Sequence, residues 1–173
     1  MIGILLLLML AAAWPAFGQD DFAGYSPPSE RFSCEAPADW IGFEEEEVSG
    51  SVVHLLGPDD RAGAYRTGID IHFVDASRPG FVTAKTAIEN LRRSDKLTRR
   101  ETNPVKRFAV GKGLARTFEV WEKRSVPAEL SPSVTLAIHH FVAVIESGES
   151  YFVIRLSSAE ELYVDLRKVF VRF

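Results

Sequence analysis

Residues 134–156 read VTLAIHHFVAVIESGESYFVIRL, and this stretch decides the fold class. Val134 to Ile145 is a long β-branched and aromatic run, and Tyr151 to Leu156 is a second. The segment Ser147-Gly148-Glu149-Ser150 between them is polar and holds the one residue type that enters left-handed turns at no steric cost. Two extended runs joined by so short a turn must pair antiparallel, because a parallel crossover needs a dozen residues or more. A β-hairpin is therefore expected here.

Downstream, Ser158 to Glu161 fits the S-x-x-E capping box, and Leu162, Leu166, Val169, Phe170 and Phe173 recur at helical spacing. A closing helix follows. Upstream, Val105 to about Ser125 has strand character on both sides of Gly111-Lys112-Gly113, which predicts another hairpin, with Pro127 to Pro132 read as a loop. Phe81, Ala84, Ile88 and Leu91 lie on one face of a helix whose opposite face carries Lys85, Glu89, Arg92 and Arg93. Before it, Ser51 to Leu56 and Ile69 to Phe73 flank the turn formers of residues 57–63, giving a further hairpin. Phe32, Cys34 and Ala36 alternate with polar residues until Pro37 stops the strand.

Three hairpins with an interposed and a terminal helix predict the α+β class: an antiparallel β-sheet built from hairpins, with helices packed on its faces. The 173 residues at 46% hydrophobic and 25% charged suit one globular domain. Its expected span is 31–173, with a flexible linker at 19–30 that contains Gly24, Pro27 and Pro28.

Ile2 to Ala13 is nearly unbroken apolar sequence, too short to span a membrane and interrupted by Pro15. Small residues at Ala16 and Gly18 suit signal peptidase, so residues 1–18 are read as a signal peptide cleaved before Gln19, with cleavage after Ala13 the alternative. Only the α-amino group supplies positive charge at this end. An exported protein, periplasmic or extracellular and not integral to the membrane, is expected. Cys34 is the only cysteine, which excludes an internal disulfide, and its place well beyond the apolar run excludes a lipid anchor on it.

A net charge of −4 disfavours nucleic acid as a partner. The distribution is uneven, since residues 35–47 hold six acids and no base, whereas residues 78–124 hold thirteen Lys or Arg against five acids. The sequence contains no G-x-S-x-G, H-E-x-x-H, Walker A, G-x-G-x-x-G or paired C-x-x-C pattern, and no cofactor is implied. The residues best suited to a metal are His54, Asp70 and His72, because Asp70 and His72 share one side of a strand and His54 lies on its hairpin partner. His139 and His140 are adjacent, so they face opposite sides of theirs.

The string Phe32-Ser33-Cys34-Glu35-Ala36-Pro37-Ala38-Asp39-Trp40, and Gly148 to Ile154 followed by a helix, resemble the PsbP-like superfamily over most of residues 31–173. The resemblance implies a central antiparallel sheet in an α/β/α sandwich and a non-enzymatic accessory or binding role. It carries over no ligand residue. The expectation is thus an exported binding protein of the cell envelope that uses a surface patch or sheet-helix cleft for a protein or small ligand. The alternatives are a metal-binding module at the strand His/Asp cluster, or an enzyme without a recognisable motif, which would need a pocket with perturbed titratable groups.

Overall fold

The computed structural model describes residues 22–110, 113–128 and 131–173, so the expected signal peptide and the turn residues Gly111 and Lys112 lie outside the described residues. The elements in chain order are β1 (Phe22–Tyr25), β2 (Cys34–Pro37), β3 (Ile41–Glu47), β4 (Gly50–Asp59), β5 (Arg66–Val74), α1 (Ala84–Leu91), β6 (Glu101–Thr102), β7 (Lys106–Val110), β8 (Gly113–Ala128), β9 (Ser131–Ser147), β10 (Ser150–Ala159) and α2 (Glu160–Arg172). Strands β3 to β10 make one antiparallel sheet in the order β3-β4-β5-β10-β9-β8-β6, with β7 also pairing β8. The hairpin of residues 134–156 puts β10 at its centre, between β5 and β9. Its register closes on Ser147 opposite Ser150, and Gly148 takes a φ of 64° in the tight turn.

Period-two alternation sorts each strand between two faces. Val53, Leu55, Ile69, Ile71, Ala115, Phe141, Ala143 and Leu156 form one core with Tyr163, Leu166 and Phe170 of α2. Phe118, Val120, Val142, Val144, Tyr151 and Val153 form the other with Ala84 and Ile88 of α1. Thr83 caps α1 by accepting from the Thr86 amide. On the α2 face, β1 pairs with β2 as a separate two-stranded ribbon, and Tyr25 and Trp40 pack against the sheet. The Tyr25 ring fits because Gly42 has no side chain; a Cβ there would stand 2.4 Å from Tyr25 Cε2.

Several expectations are corrected. The chain is mixed α+β, but strands hold most of the described residues, in a sheet that carries only two helices among them. This is not an α/β/α sandwich with helices packed over both faces. The eight residues of α1 cover a patch and leave the rest of their face to polar side chains. The expected linker contains β1, held by the ladder from Phe22–Pro37 to Tyr25–Cys34. The capping box does not form. Strand β10 runs through Ser158, which pairs with His139, and α2 starts at Glu160 with no side-chain cap; its first-turn Glu160 and Glu161 still favour the dipole. Of the expected loop at 127–132, residues 129–130 lie outside the described residues, while β8 reaches Ala128 and β9 begins at Ser131, with a register shift between Val126 and Ala128, at Pro127.

Strand β3 is a sheet edge, and its charged Glu44 to Glu47 suit that position, because charges on an edge discourage pairing with another chain.

Candidate functional sites

The two faces of the sheet each carry a cavity. On the α2 face, a cleft of about 430 Å³ lies between the sheet, the β1–β2 ribbon, the C-terminal end of α2 and strand β7. Six phenylalanines, Phe32, Phe108, Phe141, Phe152, Phe170 and Phe173, line it, together with Ile71, Ile154 and other apolar groups. Several separate elements place them. Phe152 and Ile154 face this side because β10 alternates, Phe170 because it follows Leu166 by one helical turn, and Phe32 because the ribbon folds back onto the sheet. Phe32 meets Phe152 edge to face at 6.0 Å, and Phe141 meets Phe170 at 5.0 Å. Phe108 and Val110 remain partly exposed at the rim. Cys34 lines the same cleft, and burial pushes its thiol up to about 11, so it is a protonated apolar wall and not a nucleophile at neutral pH.

The second cavity, of about 240 Å³, opens on the other face where the α1 core gives way to polar residues. Along β10, Tyr151 and Val153 belong to that core, whereas Arg155 and Ser157 line the cavity with His140, Arg124, Tyr65 and Asp70. The Ser157 hydroxyl lies 2.7 Å from His140 Nδ1, and His140 Nε2 is 3.4 Å from Glu122. Burial holds the His140 imidazole below its ordinary pKa and keeps it neutral, although Glu122 opposes that. Glu122 is buried, and the hydrogen bond with His140, reinforced by Arg100 and Arg124, holds its carboxyl far below the usual range. Burial pushes the Tyr65 hydroxyl up. A neutral imidazole between a carboxylate and a hydroxyl can relay a proton, and the guanidiniums beside it can hold negative charge.

The three residues predicted as metal ligands do share one face. His54 and Asp70 are direct cross-strand partners, with Nδ1 to Oδ1 at 2.9 Å. The other Asp70 oxygen accepts from Arg155 at 2.7 Å. Burial raises the Asp70 pKa but the Arg155 and His54 contacts outweigh it and hold the carboxyl low. His72 turns to Glu47, at 3.2 Å, and not to the other two. Among the described residues no group of three His, Cys, Asp or Glu converges as a metal site would. His139 faces away from His140, as alternation requires, and stacks on Tyr163 with ring centroids 3.4 Å apart.

Sequence reading expected a sheet-helix cleft but named lining residues for neither cavity. For the polar one a signal existed, since Arg155 and Ser157 interrupt a central apolar strand on one side only. For the apolar one none did, because its phenylalanines come from the ribbon, β7, β9, β10 and α2.

The fold these sites sit in is shared with a solved structure. A Pseudomonas aeruginosa protein of unknown function aligns over 86% of this chain and 90% of its own, with a TM-score of 0.50 at 12% identity. The cyanobacterial PsbP protein of Synechocystis aligns over 92% of this chain and 93% of its own, with a TM-score of 0.46 at 13% identity. No family model and no curated protein matches the sequence. Among the described residues no helix is long and apolar enough to cross a membrane.

Proposed function

We propose that this is an exported, non-enzymatic binding protein of the cell envelope with a PsbP-like domain, and that its ligand is a small apolar molecule held in the cleft under α2. The observation that carries the reading is the cleft itself. Its 430 Å³ falls in the ~300–1,000 Å³ range of small-molecule sites. Aromatic walls around a protonated thiol suit desolvation of an apolar ligand, not covalent chemistry. The absence of familiar catalytic patterns in the sequence points the same way, and the apolar run of residues 2–13 supports export.

The test of binding is a titration with the uncharged fluorophore Nile red. The expected result is saturable one-to-one binding that weakens at least about tenfold in Cys34→Trp, which fills the cleft from the ribbon side. Equal binding by the two proteins would count against the cleft. Export is tested separately by the N-terminus of protein recovered from the envelope or medium, expected at Gln19 and contradicted by a chain that begins at Met1.

A further inference from the structure

The polar cavity has a composition that its place in the sheet does not call for. Its walls hold three guanidiniums, of Arg66, Arg124 and Arg155, against one carboxylate, Asp70. The nearby acceptors are already engaged. Asp70 takes His54 and Arg155, and Glu122 takes Arg100 and Arg124. The donors are not exhausted. A guanidinium has five N–H groups in a fixed fork. Arg155 gives Nη2 to Asp70, while its Nε is buried and without a partner. Arg124 gives Nε to Glu122. His140 adds no positive charge while it is neutral, and with Nε2–H directed to Glu122 its Nδ1 accepts from Ser157. An arginine on the central strand of a sheet is costly unless paired, and a buried donor left unmade costs more than an exposed one.

We propose that this cavity binds a small organic anion, a carboxylate or a phosphate monoester, seated between the Arg124 and Arg155 guanidiniums. Planar forks match both head groups, which lysine would not do as well. At about 240 Å³ the cavity is below the usual range of drug-sized sites, so the ligand is a few heavy atoms larger than its charged group at most. The site lies on the opposite face from the apolar cleft and does not depend on it.

The experiment is isothermal titration of the purified protein at constant ionic strength with succinate and, separately, with inorganic phosphate, which distinguishes the two head groups. At least one is expected to bind saturably at one site. Arg124→Gln is expected to weaken that binding about tenfold or more, and its fold is protected because Arg100 still pairs with Glu122. Arg155→Lys, which keeps a charge opposite Asp70 but loses the fork, is expected to do the same. The proposal is overturned if neither anion binds saturably. It is equally overturned if folded Arg124→Gln binds within about twofold of the parent protein.

Discussion

The two sides of β10 line two different environments. Phe152, Ile154 and Leu156 point to α2 and build a wall of the apolar cleft or the core beside it. One residue out of step, Val153 ends the α1 core and Arg155 and Ser157 open the polar cavity. A period of two lets one strand serve two environments, and the boundary on the second side is set by how far an eight-residue helix reaches. The α2 face is held by apolar burial, whereas the polar part of the α1 face is held by ion pairs to Glu122 and Asp70 that leave some guanidinium donors unused.

That contrast can be broken from either side. Phe170→Ala should have the largest effect, about 3–5 kcal/mol in urea unfolding, since it removes a buried ring between α2 and the sheet. Glu122→Gln should cost about 2–4 kcal/mol, because it leaves Arg100 and Arg124 facing a neutral amide at a buried position. The apolar cleft should be unaffected by it, so Nile red affinity unchanged within about twofold would sharpen the separation of the faces.

Acid should act on both faces, through His140 on the polar side and His139 against Tyr163 of α2. Folded His140 and His139 have pKa values held down by burial, so the unfolded chain binds more protons below its ordinary histidine pKa of ~6.5. Their contribution is complete above that pH and is lost as pH falls through the folded-state values. Stability measured from pH 7 to 5 should therefore decline, and His140→Gln should flatten the decline; an unchanged slope would remove His140 from the account. The smallest effect, about 1 kcal/mol, is expected for Thr83→Ala, which uncaps α1.

The hairpins were legible in the sequence because turn residues and alternation are local signals. Gly148 with its flanking runs, and the turn formers of residues 57–63, of which 57–59 finish β4 and 60–63 turn toward β5, needed no tertiary information. The apolar face of α2 was legible for the same reason. The start of that helix was not, because Ser158 satisfies the local pattern of a cap while the longer β10 ladder holds it opposite His139. The ribbon was hidden by Pro27 and Pro28, which read as linker until β1 is seen to pair with β2 around them. Of the predicted metal residues, His54 and Asp70 meet across the hairpin in a register that the sequence left open, and the partner on the other side of Asp70 is Arg155, eighty-five residues away in sequence. Side-chain competition of that range leaves no local trace.

The measurement that most directly tests the central claim is amide chemical-shift mapping of the labelled protein titrated with Nile red. Perturbations concentrated at Phe32, Phe108, Phe152 and Phe170, with Arg155 and Ser157 unmoved, are the predicted result. Shifts confined to the polar cavity or to the β3 edge, with the cleft phenylalanines silent, would contradict it.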